Sequence, residues 1–360
     1  MTTYWVLFLY PLIGIVAHSH LPIAYTRSAW WMLMSIWILA IGFRIGIACD
    51  WSEYLMLFKC VRYHGTTKGI NLFCDSYNSW EPGYIMINWA SAKMGLGIYG
   101  VNVASGAFIV FGLSAFCRKM PSPWLAWLVA TPYLLTVVSM GFTRQAVALG
   151  FFCWALSYLL EKRYVPFVLL ILIGSMFHKS AIFLLSFGVL PWLTIHPMRT
   201  LIILIILLVP MASLMIDYSI SYLFYDRWYT YSAGAFERAL MNALPAGLLL
   251  LLHKRWKSFY GDSSIGVWLA YGSIGSILLV WFASTAIDRV GIYLLPIQVY
   301  VWSRLPFLPL ISDRGLSQLM TGSIVCLYGL THFVWLNFAN HSHCYVPYRN
   351  LLLDLLHFSS

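Results

Sequence analysis

Long apolar runs separated by short polar segments dominate the pattern along this chain. Runs such as 124–140, 264–284 and 316–336 come near or reach the ~20 residues that one membrane crossing requires. The pattern predicts helices at 4–18, 28–44, 99–116, 124–140, 142–160, 165–177, 179–195, 200–216, 239–253, 264–284, 290–304 and 316–336. We therefore predict an all-α polytopic membrane protein with about 12 transmembrane helices.

The remaining segments are read as parts of the same membrane domain, which spans residues 1–360. The segment 81–97 is either a short span or a helix in the membrane interface, and 349–358 has the amphipathic pattern of an interfacial helix. Residues 44–98 form an outer loop with interfacial helices, and 217–238 form a second, aromatic outer loop. The N-terminus lacks a basic region and a cleavage site, so 4–18 is read as a retained helix.

Composition agrees with a membrane location, since 61% of the residues are hydrophobic and 9% are charged, against about 25% charged in soluble domains. The net charge of +10 is explained by basic cytoplasmic loops and does not require nucleic acid. Membrane lipids and lipid-linked phosphates are the partners that such a charge favours.

The seven cysteines form no CxxC pair, and no Cys/His spacing indicates zinc. Cys49, Cys60 and Cys74 share one loop and allow one disulfide, but free cysteines acting as small apolar residues are the preferred expectation. No dense acidic cluster indicates a divalent ion, so no metal and no cofactor are expected.

Two sets of charged residues alternate along the chain. If 81–97 does not span, one set lies in short loops on one side, which is predicted to be cytoplasmic; it contains Arg118, Lys119, Lys162, Arg163, Arg199, Lys254, Arg255, Lys257, Arg304 and Arg314. The other set is predicted to face the opposite compartment and contains Arg44, Asp50, Glu81, Arg144, His178, Lys179, Arg227, Glu237, Arg238, Asp288 and Arg289. Charges beside spanning segments mark functional sites, and several arginines together suit a phosphate or diphosphate.

Each of these residues also has a structural interpretation. Arg144 could snorkel at a helix end, His178 could be a packing histidine, and Lys179 is better explained as structural. Glu81 could cap the helix that Pro82 starts, and Asp288 could be an N-cap. Arg44 is balanced between the structural and the functional reading.

The loop 217–238 is rich in aromatic residues, among them Trp228 and Tyr229. Aromatic rings offer flat apolar faces on which sugar rings stack, but an aromatic belt at the membrane interface explains the same residues.

Five runs in register carry a family resemblance over about residues 40–300. They are FRIGIACDWSEYLMLF, WEPGYIMINW, GFTRQAVALGF, FHKSAIFLL and DRVGIYLLP. Together they resemble the EpsG family of Wzy-type polysaccharide polymerases. The resemblance implies a GT-C-like glycosyltransferase of the bacterial inner membrane whose active site faces the periplasm. Its substrates would be the undecaprenyl-diphosphate-linked donor and acceptor. Whether it also works with a flippase and a chain-length regulator is left open.

The resemblance also implies roles for the second set of charges. Arg144 and Arg289, with Arg44 as a third candidate, would bind the diphosphate. The general base is left open among three residues: Asp50, Glu81 and His178. The further substrate contacts expected are Gln145, Lys179, Asp288, Trp228 and Tyr229.

Three other functions remain open on the sequence. A flippase or transporter for a lipid-linked sugar would share the basic cavity, although no inverted repeat is visible. A membrane acyltransferase that modifies polysaccharide would also place His and Arg near one face. A structural subunit of an export complex would need neither residue for glycan length.

Overall fold

The computed structural model describes residues 1–17, 23–65, 80–190, 196, 198–199, 202, 232, 234–261, 264–282, 284–308 and 314–358. Regular structure in these residues is helical. The longer helices are Thr2–Ala17, Ile23–Gly42, Trp51–His64, Pro82–Lys93, Gly97–Cys117, Pro123–Gly141, Thr143–Leu159, Tyr164–Ser175, Lys179–Val189, Ala235–Leu251, His253–Tyr260, Ser264–Leu279, Ser284–Ile292, Pro296–Trp302, Arg314–Phe338 and Leu351–Phe358. The all-helical fold class is confirmed for the described residues.

The helix lengths identify fewer candidate membrane spans than the apolar runs of the sequence do. Among the described residues, Gly97–Cys117, Pro123–Gly141 and Arg314–Phe338 are long and apolar enough to cross a membrane. The pair Ala235–Leu251 and His253–Tyr260, bent by 77°, would make a fourth span if counted as one. The number of twelve spans stays a prediction, and the predicted helix 200–216 falls almost entirely outside the described residues.

Two predicted segments differ from the observed helices. The predicted helix 290–304 is in fact two helices, Ser284–Ile292 and Pro296–Trp302. The break falls before Pro296, because proline has no N–H to donate to a helical carbonyl and is tolerated at the first position of a helix. The basic segment expected as a loop around residues 254–257 forms the helix His253–Tyr260.

The ambiguous segment 81–97 contains a helix of 12 residues, Pro82–Lys93. At 1.5 Å per residue this helix is about 18 Å long, shorter than the ~30 Å hydrocarbon core of a bilayer. The helix Trp51–His64 precedes it, so the segment 44–98, predicted as an outer loop, is largely helical where it is described.

The helices Gly97–Cys117 and Thr143–Leu159 pack against each other along a close contact between glycines. The helix Gly97–Cys117 approaches Thr143–Leu159 so closely that a Cβ on Gly150 would lie 2.6 Å from the Cα of Ile109. Such small-residue contacts allow membrane helices to approach each other at backbone distance. The contact aligns the two helices and sets the level of Arg144, which lies in the first turn of the second one.

The preference for free cysteines is wrong for part of the set. Cys49 and Cys344 form a disulfide with a Cα–Cα distance of 5.2 Å across 295 residues, and Cys60 is also disulfide-bonded. Cys117, Cys153 and Cys326 are free. Sequence spacing could not reveal the Cys49–Cys344 pair, because folding alone brings such distant residues within bonding distance.

The disulfide belongs to a longer contact between the two ends of the chain. Ala48 N–H donates to the Cys344 carbonyl at 2.8 Å, and Ile45 N–H donates to the Arg349 carbonyl at 3.0 Å. Tyr345 packs beneath the helix Pro123–Gly141, where its hydroxyl donates to the Val137 carbonyl at 3.0 Å. The C-terminal residues therefore support the segment that precedes Asp50.

Candidate functional site

Members of the two sets of charged residues lie at opposite ends of the helix Thr143–Leu159. Arg144 lies in its first turn and Glu161 lies two residues beyond its end, so the length of the helix, about 25 Å, separates them. Glu161 forms ion pairs with Lys119 and Arg163. The basic loops around these two residues are therefore far from Arg144.

Arg144 forms the central ion pair of the candidate site. Its Nη1 lies 2.6 Å from Oε2 of Glu81, and its guanidinium carbon lies 4.0 Å from the centroid of the Trp80 ring. The second oxygen of Glu81 accepts a hydrogen bond from the Lys179 backbone N–H at 3.3 Å. The Arg144 side chain is 25% exposed and that of Glu81 is 6% exposed. Arg144 can thus contact a ligand, whereas Glu81 has both oxygens engaged and little exposure.

The local sequence explains why Glu81 faces Arg144. Glu81 has extended backbone geometry before Pro82, as expected for a residue that precedes proline. Glu81 occupies the N-cap position of the helix Pro82–Lys93, but its side chain makes no capping hydrogen bond. The capping interpretation therefore explains where Glu81 lies in the chain, but the contacts of its carboxylate are with Arg144 and Lys179.

The residues on either side of Arg144 are anchored. Thr143 accepts a hydrogen bond from Nη2 of Arg44 at 3.0 Å, and Nε2 of Gln145 donates to the Arg289 carbonyl at 2.6 Å. Arg44 is 1% exposed and also donates to the Ile41 carbonyl at 2.5 Å. The structure therefore places Arg44 behind the site, where it supports the turn, and brings Gln145 against the helix that carries Arg289.

Asp288 and Arg289 point in different directions from the helix Ser284–Ile292. Asp288 forms an ion pair with Arg238 and accepts a hydrogen bond from the Ser232 hydroxyl at 3.0 Å. It lies inside the helix, so the N-cap interpretation is wrong. Arg289 is half-buried beside the site.

Asp50 lies directly before the helix Trp51–His64 and is half-buried. Among the described residues its carboxylate makes no hydrogen bond or ion pair. Burial, with the nearby Glu53, raises the pKa of Asp50, while Arg289, His341 and Arg144 act in the opposite direction. Asp50 is therefore a carboxylate within electrostatic range of both candidate diphosphate arginines, and its lone pairs are available.

His178 is half-buried in the turn after Tyr164–Ser175, and Lys179 is exposed beside it. The imidazole Nδ1 lies 2.6 Å from the Ser180 hydroxyl and 3.4 Å from the Tyr293 hydroxyl. Burial lowers the pKa of His178 to about 4, and Arg144, Arg289 and Lys179 contribute while Glu81 opposes them. The imidazole is therefore neutral at pH 7.

Ser180 and Tyr293 are not among the residues predicted for the site. Both lie inside runs that carry the family resemblance, FHKSAIFLL and DRVGIYLLP, so the signal was present. Their roles depend on a contact across 113 residues, since the Ser180 and Tyr293 hydroxyl oxygens lie 3.2 Å apart.

A possible set of metal ligands lies near Asp50, where Cys49, His343 and Cys344 bring their ligand atoms within 4.8 Å of one another. The two sulfurs are bonded to each other, which removes the thiolates that a metal would require. Trp228 and Tyr229 lie outside the described residues, as does most of the aromatic loop 217–238.

Comparison with known proteins gives one match. The model of the EpsG family matches residues 29–350. No curated protein and no solved structure matches the chain. The family match confirms the resemblance carried by the five runs and extends it at both ends.

Proposed function

This chain belongs to the EpsG family, and we propose that it is a polysaccharide polymerase acting on undecaprenyl-diphosphate-linked repeat units. Family membership assigns it to the membrane proteins of polysaccharide biosynthesis. The proposal adds the reaction: the growing glycan leaves its undecaprenyl diphosphate and is joined to the next lipid-linked unit. O-antigen or capsule assembly would be the setting.

The observation that carries this proposal is the partly exposed guanidinium of Arg144. Glu81 and Trp80 hold it at the first turn of a helix, where backbone N–H groups and the helix dipole also favour an anion. Arg289 and Arg144 are both near enough to the Asp50 carboxylate to lower its pKa, against the larger effect of burial. Two guanidinium groups around one position suit the two phosphates of a diphosphate.

The chemistry follows from these groups. Asp50 accepts the proton of the acceptor hydroxyl as that oxygen attacks C1 of the donor sugar. The new bond forms between the hydroxyl oxygen and C1, and the bond from C1 to the diphosphate oxygen breaks. The electron pair leaves with undecaprenyl diphosphate, whose charge Arg144 and Arg289 stabilise. Glu81 is the weaker candidate for the base because both of its oxygens are engaged.

The proposal includes the outer face of the bacterial inner membrane as the location of the site. The disulfide beside Asp50 supports this face, because disulfides persist in the periplasm and are rare in the cytoplasm. The basic loops at the other end of the helices support it by the positive-inside rule. The short helix Pro82–Lys93 favours an 81–97 segment that does not cross. A GT-C-like fold with about twelve spans remains part of this proposal.

Purified protein in detergent, supplied with undecaprenyl-diphosphate-linked repeat units, tests the function. We expect a ladder of products with increasing glycan length and stoichiometric release of undecaprenyl diphosphate. Detergent-solubilised protein has no second compartment, so a pure transporter would produce no ladder. Acyl transfer to the glycan with unchanged chain length would overturn the proposal.

A further inference from the structure

A hydrogen-bonded unit of His178, Ser180 and Tyr293 borders the Arg144–Glu81 pair. The unit adjoins that pair because the Lys179 backbone N–H, one residue from His178, donates to Glu81. Ser180 Oγ lies 2.6 Å from His178 Nδ1 and 3.2 Å from Tyr293 Oη. The hydrogen bonds among His178, Ser180 and Tyr293 do not contact Arg144, so the ion pair does not explain them.

The hydroxyl protons decide which imidazole nitrogen carries hydrogen. Ser180 has one proton, and its much shorter contact is the one to Nδ1 of His178. If Ser180 donates to Tyr293, the phenol proton has one acceptor among the described residues, His178 Nδ1 at 3.4 Å. If Tyr293 donates to Ser180 instead, the Ser180 proton goes to Nδ1. In both arrangements Nδ1 accepts, so Nε2 of the neutral ring carries the hydrogen.

The charges around His178 favour the same neutral form. Burial is the main cause that lowers the pKa of His178, and Arg144, Arg289 and Lys179 act in the same direction. Glu81 acts in the opposite direction. The cations make a protonated imidazole unfavourable, and they also attract the anion that a neutral N–H could bind.

We propose that His178 donates a hydrogen bond through Nε2–H to the diphosphate of the lipid-linked substrate, and that Ser180 and Tyr293 are positioning residues that hold this tautomer. The inference rests on the proposed function and assigns His178 to ligand binding, apart from proton removal. Within the described residues Nε2 has no hydrogen-bond partner, which leaves its N–H available for a phosphate oxygen.

Substitution of His178 separates a donor from a base. The amide nitrogen of a glutamine approximates the position of Nε2 and is a neutral donor, whereas alanine has none. We expect His178→Gln to keep polymerisation and undecaprenyl diphosphate binding within about tenfold of the wild type, and His178→Ala to lose more of both. Equal inactivity of the two variants, with loss of the acidic limb of the pH–rate profile, would identify a base and overturn the proposal.

The positioning residues are tested by a double-mutant cycle. Ser180→Ala leaves Tyr293 able to donate to Nδ1, and Tyr293→Phe leaves Ser180 able to do so. We therefore expect small losses in binding for each single variant and a loss in the double variant that exceeds their product. Strictly multiplicative losses would overturn the positioning role.

The controls keep these outcomes distinct. His253→Gln changes a histidine at the basic helix His253–Tyr260 and should leave rate and binding unchanged. Thermal melting of each variant identifies loss of fold. If the wild type forms no ladder, the polymerase proposal fails, whereas binding of undecaprenyl diphosphate that persists in His178→Gln and is lost in His178→Ala still supports the donor.

Discussion

Arg144 and Glu81, 63 residues apart in the chain, form an ion pair with a distance of 2.6 Å between Nη1 and Oε2. The pair is asymmetric, because Arg144 is 25% exposed and Glu81 is 6% exposed. The buried carboxylate thus orients the guanidinium, which remains accessible to a ligand.

Removal of Arg144 should abolish polymerisation. We expect Arg144→Ala to lower the rate by about 100- to 1,000-fold while the protein still inserts and single-unit lipid remains. Arg144→Lys should also be weak, because an ammonium lacks the bidentate fork. The measurement is the product ladder. Arg163 lies at the opposite end of the helix and is 60% exposed, so Arg163→Ala is the matched control and should leave the product ladder unchanged. A fully active Arg144→Ala would exclude the diphosphate role.

The pH–rate profile should identify Asp50 as the base. Because the pKa of Asp50 is raised, its active carboxylate form is lost as pH falls through a value above ~4, the ordinary pKa of aspartate. We expect the rate to fall on this acidic limb. Asp50→Asn should lower the plateau rate by about 100- to 10,000-fold and remove the limb.

Glu81→Gln is the matched comparison for Asp50→Asn. It removes the charge that orients Arg144 but leaves the base intact, so the rate should fall while the acidic limb persists. If Glu81→Gln removed the limb and Asp50→Asn kept it, the two assignments would have to be exchanged.

Loss of the Cys49–Cys344 disulfide should destabilise the protein and slow turnover. The bond joins the C-terminal segment to the residue before Asp50, and native disulfides contribute about 2–5 kcal/mol. We expect Cys49→Ser, or reductant on the wild type, to lower the melting temperature and the polymerisation rate. Cys326→Ser changes an exposed free cysteine and should alter neither. An unchanged melting temperature in Cys49→Ser would contradict a stabilising role for this disulfide.

The glycine contact between the helices Gly97–Cys117 and Thr143–Leu159 should not tolerate a side chain. A Cβ on Gly150 would meet the Phe108 carbonyl oxygen at 2.7 Å, and backbone shifts of this kind cost about 1–3 kcal/mol. We expect Gly150→Ala to lower the melting temperature and, because the same helix carries Arg144, the activity.

Gly275→Ala provides the control for that substitution. Gly275 also lies inside a helix, Ser264–Leu279, but a Cβ there would meet nothing within 4 Å. Because alanine favours helix more than glycine does, by up to about 1 kcal/mol, this variant should be neutral or slightly stabilised. Equal destabilisation of both variants would show that the close contact is not the cause.

Much of the helical pattern could be predicted from the sequence, because apolar runs identify helices without knowledge of their neighbours. The predicted helix 142–160 corresponds to Thr143–Leu159, and 99–116 corresponds to Gly97–Cys117. The prediction failed at Pro296, where a local backbone constraint interrupts an apolar run that reads as continuous.

The sequence by itself determined the class of protein, the family resemblance and which charged residues stand beside helix ends. Those follow from composition, periodicity and motif order, which are local properties of the chain. Only the tertiary structure decided the partners: Glu81 for Arg144, Arg238 for Asp288, Tyr293 for His178, and Cys344 for Cys49. These pairs form because helix packing brings distant residues within 2–4 Å, and no spacing along the chain encodes a contact of that kind.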